Sequence, residues 1–207
     1  LVMLLIVCFI AFIIDSYLIN AVLLKVFAKV NPIKFFKKIL PAQIVAFSTQ
    51  SSAGTLPVAT EILTDKIGVG GKVANVATPL GTTIGMPGCA GIWPILVSLY
   101  GIYGLGINFS LTDYITLVVV ALFVSFGTAG VPGTATVTTA SVLTVMGLPL
   151  ELIVLTIPIS ALADTGRTAT NITGAMVSAT IVARQEDSLD DEIFEKEDEE
   201  ENKAVTA

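Results

Sequence analysis

Apolar residues run almost unbroken from Leu1 to Leu24, interrupted only by Asp15, Ser16 and Asn20. A helix over residues 1–28 is long enough to cross the ~30 Å hydrocarbon core of a bilayer. Lys25, Lys29, Lys34, Lys37 and Lys38 follow at once. The next apolar stretch, residues 39–63, is polar in its middle, at Ser48-Thr49-Gln50-Ser51-Ser52-Ala53-Gly54-Thr55, and Lys66 and Lys72 close it. Residues 73–103 are apolar but broken by Gly81, Gly85, Pro87, Gly88, Gly91 and Pro94. Residues 111–146 are apolar at both ends around Gly127-Thr128-Ala129-Gly130-Val131-Pro132-Gly133, and residues 148–183 carry Asp164 and Arg167 near their middle. This pattern predicts a span (1–28), a helical hairpin (31–66), a broken span (72–103), a second hairpin (111–147) and a last span (148–184), ahead of a tail (185–207).

Composition agrees with burial in lipid. Mean hydropathy is +0.85, and 14% of residues are charged, where a soluble domain carries about 25%. Residues 1–184 hold nine basic and six acidic side chains, and residues 185–207 hold two basic and eleven acidic. The net charge of −6 therefore describes the tail. With so little apolar surface, the tail is expected to be disordered from Glu186 to Glu201. Histidine is absent, which removes the usual general base and the commonest zinc ligand. Cys8 and Cys89 sit in apolar runs, where a thiol behaves as a small hydrophobe. Leu1 lies inside an apolar run with no basic region before it, so the start is read as a cut through a longer protein and not as a signal peptide.

The lysines choose between topologies. If the segments at 39–63 and 111–146 each crossed once, Lys66 and Lys72 would lie opposite Lys25 and Lys38. If both are re-entrant hairpins, all of these and Arg184 share one side, and the linkers 104–110 and 147–151, which hold no Lys or Arg, lie on the other. The positive-inside pattern selects the hairpins and a cytoplasmic tail. Ser51-Ser52-Ala53-Gly54-Thr55-Leu56-Pro57 and the glycine-rich string at 127–133 then form two similar tips entering from opposite faces. Inverted repeats with irregular backbone at mid-membrane mark secondary transporters, although small residues at such tips also serve plain helix packing.

Asp164, Arg167, Thr168 and Asn171 are spaced i, i+3, i+4, i+7 and share one helix face. Ala161, Ala163, Ala169 and Ala175 leave room beside them. Two readings follow: a structural ion pair, or a site where Arg167 takes a carboxylate in a bidentate fork and Asp164 takes an ammonium.

These strings, with Asp164-Thr165-Gly166-Arg167-Thr168-Ala169-Thr170-Asn171, resemble the dicarboxylate/amino acid:cation symporters in sequence and order over residues 1–184. The resemblance implies an all-α membrane protein of the cell membrane, crossing it several times, in which this chain is the C-terminal part of an elevator transport domain with two inverted re-entrant helical hairpins. It implies five preceding helices that include a trimerisation scaffold, hence a homotrimer, with hairpin two as outer gate. Asp164 would bind the substrate amine, Arg167 its far end, and Thr168 and Asn171 its α-amino acid end. Backbone at Ser51 and Ser52 and at Val131, Pro132 and Gly133 would close over the carboxylate.

The departures from the family pattern bear on substrate and ion. Pro87 and Ala175 stand where the family places two sodium-binding carboxylates. A site built mainly from carbonyls, near Thr83, Ser125, Phe126 and Thr128, could keep one sodium, so the coupling ion is Na+ or H+, with no other cofactor. The run Gly85-Met86-Pro87-Gly88-Cys89-Ala90-Gly91-Ile92-Trp93-Pro94 looks most like the bacterial L-cystine uptake branch, which makes L-cystine the expected substrate and aspartate, glutamate or another dicarboxylate the alternative. An ion channel or an intramembrane protease fits less well. The protease would need a second paired aspartate or a Ser–His dyad, and the charge pair suits a held zwitterion better than a passing ion. Nothing in the pattern suits nucleic acid. Trp93, Tyr100 and Tyr103 are expected in an interfacial aromatic belt, and Asp15 is assigned no role.

Overall fold

The computed structural model describes residues 1–84, 86–127 and 130–196. Among these the chain is helical, with a single isolated antiparallel bridge between Val69 and Leu189. Helix α1, Val2–Ala28, contains two wider π-helical stretches, Ile14–Ile19 and Leu24–Ala28. A first hairpin follows: α2, Pro32–Thr49, and α3, Ser52–Ile62, with a π-helical turn at Leu63–Ile67. The broken span is α4, Gly71–Gly81, then a π-helical stretch Pro87–Ile92 running into α5, Trp93–Gly104. The second hairpin is α6, Leu111–Ser125, and α7, Thr134–Val145. Helix α8, Glu151–Gln185, is the longest, and the short α9, Asp191–Glu195, ends the described chain.

Local chemistry sets the boundaries. Asn31 caps α2, accepting from the backbone N–H of Ile33 at 3.0 Å and of Lys34 at 3.4 Å, with Pro32 at the first helical position where its missing N–H costs nothing. Ser51 caps α3 through the N–H of Gly54 at 3.0 Å. Ser110 and Asp113 form a reciprocal capping box at α6 that satisfies two otherwise orphaned donors. Gln50 turns the first hairpin in the left-handed region, φ 54°, and Gly133 starts α7 at φ 82°. Glycine takes that conformation without steric cost, whereas Gln50 does not. Its side chain is anchored instead, with Nε2 donating to the Ala161 carbonyl at 3.2 Å.

Two helices are much longer than the rest. At 1.5 Å per residue, the 27 residues of α1 and 35 of α8 reach about 40 and 52 Å. The arms α2, α6 and α7, with 18, 15 and 12 residues, reach only about 27, 22 and 18 Å. Helix α8 is the axis on which the rest is built, packing against α1 through α5 and α7. One cluster gathers α2, α3, α4 and the C-terminal halves of α1 and α8 around Phe35, Leu63 and Met176. A second gathers the N-terminal half of α1, α5, α7 and α8 around Phe12, Trp93 and Leu143. The outer side of α1 leaves Ile6, Ile10, Ile13, Leu18 and Val22 exposed, a continuous apolar surface suited to hydrocarbon.

Two sequence expectations fail. Disorder was expected from Glu186 onward, but residues 186–196 fold back onto the body; residues 197–207 lie outside the described residues. The apolar content needed for docking is present at Leu189, Ile193 and Phe194. Phe194 is 1% exposed with the ammonium groups of Lys34 and Lys38 over its ring at 5.8 and 5.5 Å. Buried Lys38 donates to the carbonyls of Lys66, Ile193 and Lys196 at 2.8, 3.3 and 3.0 Å, tying the first hairpin to the tail. Arg184 pairs with Asp191, and Lys34 with Glu195 at 2.9 Å. Trp93 is not at an interface either: it is 2% exposed and packs under Arg167, while Tyr103 is 73% exposed.

Phe194→Ala should release this segment, and amides 186–196 should lose hydrogen-exchange protection while those of α8 keep theirs; unchanged protection would contradict the docking. The Arg184 hydrogen bonds hold the Asp191 carboxyl below its usual range. Its contribution is therefore present above the ordinary aspartate value of about 3.9 and lost as pH falls through the lower folded value. The same amides should deprotect on acidification only in that range.

Candidate functional site

The middle of α8 is unusually polar for a buried helix. Asp164, Arg167, Thr168, Thr170, Asn171 and Thr173 are all buried. The threonines return their hydroxyls to the helix: Thr168 donates to the Asp164 carbonyl, Thr170 to Gly166 and Thr173 to Ala169, at 2.8, 2.9 and 2.8 Å. This disposes of their donors without an outside partner. Gln43 Nε2 of α2 donates to the Thr173 hydroxyl at 2.8 Å, and Ser16 of α1 donates to that of Thr170 at 3.2 Å, so two neighbours lock the rotation of α8.

Arg167 is 1% exposed. Its Nε donates to Asp164 Oδ1 at 3.2 Å, and Nη2 lies 3.1 Å from the same oxygen. Nη2 also donates to the Ser160 carbonyl at 2.8 Å and to the Ser160 hydroxyl at 3.3 Å. The Trp93 ring lies 4.6 Å from the guanidinium carbon, a cation–π contact. Nη1 is buried and has no hydrogen-bond partner among the described residues. A buried donor left unmade costs about 1–3 kcal/mol, so the site holds a positive group with bonding capacity unspent.

Asn171 has a different task. Its Oδ1 accepts from Gly88 N at 2.8 Å and its Nδ2 donates to Cys89 Sγ at 3.1 Å. It thereby satisfies the start of the Pro87–Ile92 stretch, where the broken span exposes backbone. A Cβ on Gly88 would stand 2.5 Å from the Arg167 carbonyl, so only glycine allows the break to lie on α8 beside the arginine. Cys89 also accepts, through its carbonyl, the Thr138 hydroxyl of α7 at 2.8 Å.

The hairpin tips meet. Ala53 N donates to the Gly130 carbonyl at 3.0 Å, and the Ser51 hydroxyl reaches the same oxygen at 3.4 Å. A Cβ on Gly130 would lie 2.6 Å from the Thr82 carbonyl, so both tips and the end of α4 converge. Ser52 is buried, whereas Val131, Pro132 and Gly133 are exposed. Of the proposed sodium residues, Thr83 donates its hydroxyl to the Pro79 and Leu80 carbonyls, Ser125 to Leu122, and Phe126 is exposed; Thr128, like Gly85, lies outside the described residues. Ala175 lies against Gly81, whose added Cβ would stand 2.7 Å from that of Ala175.

Sequence reasoning placed Asp164 and Arg167 correctly on one face but missed Ser160, Trp93, Gly88 and Cys89. Ser160 lies seven residues, two helical turns, before Arg167, a spacing that could have suggested it. The partnership of Gly88 and Cys89 with Asn171 depends on a tertiary approach and left no local signal.

The profile of the sodium:dicarboxylate symporter family matches residues 1–185. An uncharacterized symporter of Haemophilus influenzae is 44% identical over 180 residues, 84% of this chain and 41% of the relative. L-cystine uptake protein TcyP of Bacillus thuringiensis is 37% identical over 81% of this chain and 36% of its own length. TcyP of Shouchella clausii is 40% identical over 79% and 35%. The chain thus spans about two fifths of the length of the curated relatives it matches.

Gly88→Ala should lower thermal stability by the ~1–3 kcal/mol typical of overpacking, and Gly91→Ala, where an added Cβ meets nothing within 4 Å, should not. Equal melting shifts for the two would contradict the close approach.

Proposed function

The chain belongs to the sodium:dicarboxylate symporter family, and on that premise we propose that the protein is a secondary active amino acid:cation symporter whose substrate is L-cystine. The observation that carries the reading is the buried Arg167 guanidinium, paired with Asp164 and Ser160 and holding Nη1 without a partner among the described residues. A zwitterionic amino acid offers a carboxylate for that donor and an ammonium for Asp164. L-cystine has both groups at each end, and the relatives named for L-cystine uptake favour it. Aspartate, glutamate or a dicarboxylate is the alternative within the same family.

Several further features belong to the same proposal. The short arms α2, α3, α6 and α7 are re-entrant hairpins, the lysine-rich face is cytoplasmic, and the protein lies in the cell membrane as a trimer. The meeting of Ser51 and Ala53 with Gly130 is a closed gate, whose opening admits substrate to the face of Asp164 and Arg167. Transport domain and cargo then move together as an elevator. Asn171, already engaged with Gly88 and Cys89, acts by holding the broken span in place, and its reach to substrate is through that segment. Family membership implies a coupling cation. Ala175, which lies against Gly81, carries no carboxylate to serve as a ligand there, and this argues against a strong sodium dependence.

Labelled L-cystine and L-aspartate uptake into proteoliposomes containing the full-length protein tests this reading. L-cystine should be taken up and should be the better competitor. Arg167→Lys should lower uptake by at least about a hundredfold, because a point charge cannot replace the planar fork. Asp164→Asn should weaken amino acids far more than analogues without an amine. Equal loss for both, in a folded variant, would make the pair structural, and preference for aspartate would transfer the site to the alternative substrate.

A further inference from the structure

The charge at Asp15 is not used by this site. Asp15 stands midway along Val2–Ala28, the more apolar of the two helices long enough to cross a membrane. It lies in the π-helical stretch Ile14–Ile19, a departure from α-helix that recurs at functional positions. Of its neighbours, Ser16 bonds to Thr170 of α8, and Asn20 donates to the Asp15 carbonyl at 2.9 Å. The Asp15 side chain, with Ala11 and Ile19, lines a cavity of about 680 Å³ between α1, the Pro87–Ile92 stretch with α5, and α6. Its Oδ2 is buried and has no hydrogen-bond partner among the described residues.

The surroundings decide what such a carboxylate can bind. Among the described residues, Asp15 is the sole titratable side chain in the cavity lining, and Ser125 supplies the only other polar side chain there apart from a methionine sulfur. Asp164 and Arg167 of α8 are paired with each other. Cys8 of α1 and Cys89 are buried within the adjoining apolar cluster, and Tyr17 donates its hydroxyl to Gln43 of α2 at 3.1 Å. A dehydrated metal cation takes about six oxygen ligands, and among the described residues the side chains of this lining supply only those of Asp15 and Ser125. A proton needs one. An ionised carboxylate without a counter-charge at mid-membrane is also expensive, and such residues mark ion and proton pathways.

We propose that Asp15 is the group that binds the coupling proton. Oδ2 takes a proton from water reaching the cavity on one side of the membrane, and the neutral acid crosses with the transport domain. The proton then returns to water on the other side. This names the cation of the symport reading above and rests on that reading for its coupling to substrate, though not for the protonation itself.

Two measurements on the full-length protein keep the two readings apart. N,N′-dicyclohexylcarbodiimide, a lipid-soluble reagent for protonated carboxyls, should modify Asp15 at neutral pH and spare the paired Asp164, as mapped by mass spectrometry. Absence of the Asp15 adduct would overturn the proposal whatever the substrate. In sodium-free proteoliposomes, L-cystine uptake should carry protons inward, read by an internal pH dye. Asp15→Asn should abolish that influx and at least tenfold acceleration by an inward proton gradient, while substrate exchange at equal pH persists; Asp15→Glu should restore the influx. Persistent influx in Asp15→Asn would remove the proton site. Labelling of Asp15 in a protein that moves no L-cystine would remove the substrate reading and leave the proton site standing.

Discussion

A guanidinium held in the apolar interior of a helix bundle is the constraint around which this molecule is arranged. Arg167 is buried away from water, so the surrounding chain has to supply oxygen and aromatic surface in its place. Asp164 and Ser160 come from the two preceding turns of α8, and Trp93 lies beneath the planar group. Replacing such a pair by apolar residues often costs nothing or stabilises, whereas removing one partner is severe. The pair is therefore poor as a stabilising device. On the proposed function, its value lies in a charge ready for a partner that arrives from outside.

That arrangement explains the irregular backbone around it. For Trp93 to lie beneath Arg167, the broken span must approach α8 closely, which Gly88 permits and Asn171 secures by bonding Gly88 N and Cys89 Sγ. Both hairpin tips meet the end of α4, with Gly130 against Ala53 and Thr82. Backbone polar groups in lipid must be satisfied within the protein, and here Gly88 N bonds the polar face of α8 while the Gly130 carbonyl accepts from Ala53 at the capped start of α3. The apolar arms around this centre carry the packing, and the polar contacts fix which element faces which.

Much of this was legible in the sequence because it rests on local chemistry. The helix breaks follow Gly-Pro clusters, and the i, i+3 spacing of Asp164 and Arg167 brings them together before any tertiary contact is known. What escaped depends on distance along the chain. Phe194 sits in an acidic run that looks unable to fold, and only the cations of Lys34 and Lys38, some 160 residues earlier, show why it docks. Trp93 looked like an interfacial aromatic because its partner is a charge on another helix. Asp15 gave a plain signal, a lone carboxylate in an apolar span, but its meaning needed the cavity it faces.

The account stands on Arg167 exchanging or adding a partner when substrate arrives. A cryo-electron microscopy structure of the full-length protein with L-cystine bound tests that most directly. The account predicts a substrate carboxylate within hydrogen-bond distance of Arg167 Nη1, an amine against Asp164, and the Ser51–Gly130 contact altered at the hairpin tips. Arg167 retaining only Asp164 and Ser160 as partners, with the ligand bound elsewhere, would contradict it.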